Sequence, residues 1–154
     1  MSTLKEQLRS DLTAAMKARD ELVKATLRLT LTAIGTAEVA GTEQRELSDD
    51  EVLGVIRKEA KKRAESAEAF SAAGRTEMAA QETAEGEILA RYLPRPLTAD
   101  ELSALAAKAV ADFEAETGEK PGMKQMGQVM KKATAAAEGR ADGKALSTAV
   151  RALL

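Results

Sequence analysis

An all-α fold is predicted, on three observations. Apolar residues recur at intervals of three and four from the first residues to the last, and no segment sustains the alternation of a strand. The core-forming residues are chiefly Leu, Ala, Val and Met, with only 2% aromatics in 154 residues, which suits close helix packing. Finally, Ser or Thr followed three residues later by Glu twice precedes such an apolar run, the mark of a helix start.

Each element follows from local spacing. Leu4, Leu8, Leu12, Ala15 and Met16 share one helical face. The pattern resumes through Leu22, Val23, Leu27, Leu31 and Ile34, and the polar patch "ARDE" at residues 18–21 breaks or bends the helix between the two sets. This region therefore reads as two helices, or one kinked helix, ending near Val39 before the loop "AGTEQREL". Gly35 interrupts the pattern at a cost of about 1 kcal/mol relative to alanine, so a close helix contact is expected there.

Ser48 and Glu51 form a candidate capping box for a third helix, carrying Val52, Ile56, Ala60, Ala67 and Phe70 on one face and stopped by Gly74. A fourth helix with Met78, Ile88, Leu89 and Tyr92 runs up to Pro94 and Pro96, which forbid its continuation. The segment "LPRPLTADEL" is the clearest boundary, giving an N-terminal helical arm or bundle over 1–93 and a compact three-helix unit over 97–154. Thr98 and Glu101 cap the first helix of that unit, with Leu102, Leu105, Ala109, Val110 and Phe113 before Gly118. "GEKPG" turns the chain into a helix with Met126, Val129, Met130 and Ala133, and Met123 is expected to join them in the core. After "GRADGK" come Leu146, Val150, Leu153 and Leu154.

The composition excludes several chemistries. The chain contains neither cysteine nor histidine, so disulfides, thiolate nucleophiles, Cys/His zinc sites and histidine general bases are absent. No residue is nominated as catalytic, and no cofactor or metal ion is implied. Glu82 and Glu85 share a helical face, which most surface helices can show. Without a long apolar run or an apolar leader at the start, a cytoplasmic protein with no membrane partner is expected.

"GRADGK", residues 139–144, has the glycines and lysine of a phosphate loop but fails its requirements. Only three residues separate Gly139 from the Gly143-Lys144 pair, Ala145 stands where a magnesium-binding hydroxyl belongs, and a helix precedes rather than a strand. Gly139 reads instead as a helix C-cap and Asp142 as the N-cap of the last helix.

The charge is uneven. Net charge is −2 overall, yet residues 123–154 hold Lys124, Lys131, Lys132, Arg140, Lys144 and Arg151 against Glu138 and Asp142, a net of +4, while acid concentrates between Glu65 and Glu87. Lys124, Gln128, Lys131 and Lys132 lie opposite the methionine stripe of the sixth helix, and Lys144, Thr148 and Arg151 opposite Leu146 and Val150 on the seventh. Two readings stand: a surface for a phosphate backbone, aided by the free N–H groups at the start of the last helix, or a solvated helix face. The region has no aromatic residue for base stacking. A second basic run, Arg57, Lys58, Lys61, Lys62 and Arg63, reads as an exposed face bridged by Glu59 and Glu65.

The motifs "LRLTLTAIGTAEV", "LSDDEVLGVIRKEAKKRAESAEAFSAAGR" and "YLPRPLTADEL", with "MGQVMKKA" followed by "GRADGKALSTAVRALL", resemble the YqeY family over nearly the whole chain. These are small bacterial proteins whose C-terminal part is similar to the tail domain of GatB, a subunit of glutamine-dependent tRNA amidotransferase. The resemblance implies an N-terminal helical domain followed by a GatB-like tail, and a link to carbon-nitrogen ligase activity with glutamine as amido-N-donor. In the amidotransferase the tail helps hold tRNA, and the catalytic domains have no counterpart in this chain. The implied partners are therefore tRNA and amidotransferase subunits, with Arg140 and Lys144 at the positions of the tail's basic motif and Lys131 and Lys132 beside them. A helical protein-interaction adaptor that binds no RNA is the rival reading. The "GEKPG" link departs from a short serine-containing connection, so a different cap is expected on the sixth helix.

Overall fold

The computed structural model describes residues 3–154, and among these it is all-helical, with seven α-helices, one 3-10 turn and no strand. The chain divides into two compact units between Leu93 and Pro94. No helix among the described residues is long and apolar enough to cross a membrane.

The N-terminal unit contains α1 (Leu4–Ala18), α2 (Glu21–Glu38), α3 (Asp49–Ala72) and α4 (Thr76–Ala90). The "ARDE" patch separates two helices. Arg19 adopts the left-handed conformation at φ 57°, Asp20 N–H reaches back to the Ala15 carbonyl, and the Asp20 side chain accepts from Val23 N–H to start α2. Thr3 and Glu6 form a full capping box on α1 that the sequence reading did not single out. Ser48 caps α3, but its box is only half made: Glu51 turns away to pair with Arg45 at 2.8 Å. Gly74 ends α3 as expected, with φ 76° and Arg75 N–H donating to the Phe70 carbonyl.

Leu8, Leu27, Ile34, Val52, Ile56 and Leu89 form the core of this unit. Thr26 and Thr30 are buried among them because each hydroxyl donates to the carbonyl four residues back, at 2.8 Å. The apolar stripe expected along α3 stops early. Ala60 still packs against the core, Ala67 and Phe70 are only half-buried, and no residue between Ala64 and Ala84 is fully buried. Gly35 makes no close helix contact, since a Cβ there would meet nothing within 4 Å.

A charged residue occupies the stripe where the apolar side chains end. Arg63 is 8% exposed and places its guanidinium 2.6 Å from Glu59 and 3.5 Å from the buried Glu85 of α4, to which Gln81 also donates. The Arg63–Glu59 pair therefore forms inside the hairpin rather than on an exposed face. Among the described residues Lys61 and Glu65 form no ion pair, and Lys62 joins Glu59 at 3.3 Å.

The C-terminal unit packs α5 (Ala99–Thr117), α6 (Met126–Ala137) and α7 (Gly143–Arg151) each against the other two. Thr98 and Glu101 complete their capping box, and Gly118 closes α5 at φ 77°. The core consists of Ala106, Ala109, Phe113, Val129, Ala133, Ala137, Leu146 and Val150. Met126 and Met130 pack on it, whereas Met123 and Leu153 are exposed, against expectation, because Met123 precedes α6 and Leu153 follows the end of α7. A 3-10 turn, Met123–Gln125, leads into α6, and its Gln125 side chain accepts from Gly122 N–H. It stands in place of a side-chain N-cap.

Candidate nucleic-acid interface

The six cations of residues 123–154 divide by what the fold does with them. On α6 the burial of Val129, Ala133 and Ala137 at steps of four turns Gln128, Lys131, Lys132 and Ala135 outward, where they line a shallow hollow. Lys131 is exposed there. Lys132 bonds Glu116 of α5 at 2.6 Å, a surface pair worth up to about 1 kcal/mol. Lys124 is exposed but belongs to the 3-10 turn rather than to the sixth helix.

On α7, Leu146 and Val150 face the core and Lys144, Thr148 and Arg151 share the opposite face. Lys144 borders a second hollow, shared by α5 and α7, with Ser103 and Asp142. Arg151 sits in the last turn, where a cation is favoured by the helix dipole, while Lys144 sits in the first, where it is not. The two lysine-bearing hollows are lined by separate sets of residues, so the cations do not converge on one cavity.

Two features expected to serve phosphate are used by the fold instead. The carboxylate of Asp142 accepts from Ala145 N–H at 2.7 Å, so the start of α7 already carries its own anion. Arg140, expected as a free cation of the turn, donates from Nε to the Arg95 carbonyl at 2.8 Å and lies 3.3 Å from Glu101. Its backbone carbonyl accepts from Leu97 N–H at 2.9 Å. Arg140 thereby ties the proline-flanked segment before α5 to the turn after α6, and its side chain is only 29% exposed. That turn is tight. Glu138 and Gly139 are successively left-handed, at φ 49° and 75°, so the cap of α6 falls on Glu138, one residue before the glycine expected to supply it.

Arg95, which the sequence reading did not nominate, is the third member of this cluster, 2.9 Å from Glu101. The Arg95 guanidinium, then the Thr98 hydroxyl and backbone, hold the Glu101 carboxyl down to about 2. The capping pattern at Thr98 and Glu101 identifies the carboxylate in sequence; nothing local identifies its two arginine partners.

Lys124, Lys131, Lys144 and Arg151 remain. All four are exposed, and among the described residues none forms an ion pair. No group of three or more acidic side chains suited to a metal ion occurs among the described residues.

Residues 5–154 match the family described as "Yqey-like protein". A stretch of 99 residues is 35% identical to "Altered inheritance of mitochondria protein 41, mitochondrial" from Clavispora lusitaniae (strain ATCC 42720), covering 64% of this chain and 56% of that protein. The matched stretch thus spans little more than half of the relative, whose name places it in mitochondria; neither finding carries the expected bacterial or cytoplasmic setting.

Proposed function

Since the chain belongs to the YqeY family, we propose that it binds tRNA through its C-terminal unit and acts in association with a tRNA amidotransferase, without itself catalysing amide transfer. The observation that carries the reading is the separation of cations: Lys124, Lys131, Lys144 and Arg151 are uncommitted, whereas Arg140 is held by Arg95 and Glu101. Exposed lysines on two helices suit phosphate contacts, which position a protein on nucleic acid without reading its sequence. The absence of aromatic residues beyond Phe113 directs the contact to backbone and shape rather than to stacked bases.

Glutamine-dependent carbon-nitrogen ligation then belongs to other chains of the assembly. A chain without histidine or cysteine that performed it would need an ammonia-producing site built from other groups.

Fluorescence anisotropy with bulk tRNA tests the proposal. The wild-type chain should bind, and affinity should fall by roughly 0.7 to 0.9 log units per decade of salt for each phosphate contacted. A variant combining Lys124→Ala, Lys131→Ala, Lys144→Ala and Arg151→Ala should lose most of that binding. Equal affinity of the two proteins removes this surface from the account.

A further inference from the structure

The distal half of the α3–α4 hairpin has a surface that the tRNA reading leaves unused. From Ala64 to Ala84 no side chain is fully buried, because the two helices meet there through alanine and other small residues. Along one side they enclose an open groove of about 600 Å³. It is lined by the methyl groups of Ala64, Ala67 and Ala80 and by the carboxylates of Glu68, Glu82 and Glu87. None of these three carboxylates forms an ion pair among the described residues, although Glu59 and Glu85 nearby on the same helices do. Over residues 64–90 six glutamates stand against Arg75 alone, a net of −5.

We propose that this groove docks a basic amphipathic helix of a partner protein. The space left between two helices by small side chains admits the ridge of larger ones on a third. On α3 the groove extends from Ala60 to Ser71, a span of about 16 Å, or three helical turns. An occupant of about a dozen residues would place Leu- or Met-sized anchors at helical spacing against the lining alanines and lysine or arginine against the lining glutamates. The same glutamates repel a phosphate backbone, so the occupant is a protein segment and not RNA. This assignment is independent of the tRNA reading.

The test uses the full chain and a fluorescein-labelled helical peptide of about 14 residues, with leucines at i, i+3, i+4 and i+7 and lysines elsewhere. Ala80→Leu fills the groove without altering charge, at a position that is already exposed. Thr83→Ile, also exposed on the groove, provides a second such variant. Each should weaken binding by about tenfold or more while helix content by circular dichroism stays unchanged. Replacing Glu68, Glu82 and Glu87 by Gln should weaken it as much, whereas replacing Glu43, Glu46 and Glu119 by Gln, the same change in charge elsewhere, should alter it by less than about threefold.

Two outcomes overturn the proposal. One is undiminished binding by both groove-filling variants, or equal loss in the two charge sets, which reduces the attraction to diffuse electrostatics. The other is wild-type self-association in sedimentation that Ala80→Leu abolishes, which makes a second copy of the chain the occupant.

Discussion

Arg63 in the N-terminal unit and Arg140 in the C-terminal unit both stand in basic stretches of sequence, and both are taken out of service as surface cations. They differ in depth. Arg63 is nearly enclosed between α3 and α4 with Glu59 and Glu85, and its Nε makes no hydrogen bond. Arg140 is more exposed, and its shortest side-chain contact is to a backbone carbonyl. A count of cations therefore overstates what a surface offers. In each case the arginine is a planar donor fixing two chain segments, and in the C-terminal unit the uncommitted charge left behind is mostly lysine.

The contrast in depth orders the expected effects. Arg63→Ala leaves Glu59 and Glu85 without their shared partner in a poorly solvated seam, so stability in urea denaturation should fall by about 3–5 kcal/mol. A loss below about 1 kcal/mol would show that water reaches the seam and would erase the distinction from Arg140. Arg140→Ala removes a charge-assisted hydrogen bond and a partly solvated ion pair, and a loss of about 1–2 kcal/mol is expected. Lys131→Ala, measured alongside it, should stay within about 0.5 kcal/mol of wild type. If the two variants unfold alike, Arg140 is not the anchor described.

Smaller effects come from positions that carry no charge contrast. Gly35→Ala should stabilise the N-terminal unit by up to about 1 kcal/mol, since the helix gains propensity and the new methyl meets no neighbour. A loss instead would reveal a contact at that face of α2.

The Arg95–Glu101–Arg140 cluster also has a pH signature. The Glu101 carboxyl is lowered from 4.5 to about 2, so its contribution to stability is present above about 4.5 and lost as pH falls toward 2. Melting curves across that window should therefore show a fall that Glu101→Gln flattens. An identical pH profile in the variant would mean that other carboxylates carry the acid sensitivity.

Helix starts and stops were legible in sequence because caps are local. Ser48, Thr98 and Asp142 accept backbone N–H groups three residues ahead, and Gly74 and Gly118 supply the left-handed stops. The limits appear where a partner comes from another helix. Nothing near Arg63 in sequence announces Glu85, and nothing near Arg140 announces the Arg95 carbonyl, since those contacts span more than twenty residues. Periodicity misled at Met123 and Leu153 for a related reason: the spacing continues past the helix ends, but the backbone does not. At Glu138 the chain takes a left-handed turn one residue ahead of the glycine, which composition alone does not disclose.

The four uncommitted cations were among those the sequence nominated, because an exposed face opposite an apolar stripe is a matter of helical period. Their availability was not legible. It depends on where Glu116 of α5 lies relative to Lys132, and on Arg140 being consumed by the segment before α5.

The most direct test of the central claim is the salt dependence of tRNA binding by wild type and by Lys131→Ala/Lys144→Ala. If these free lysines meet phosphates and Arg140 serves the fold, the slope of log affinity against log salt should become shallower by about 1.4 to 1.8 in the double variant, with the melting temperature unchanged. An unchanged slope would contradict the account.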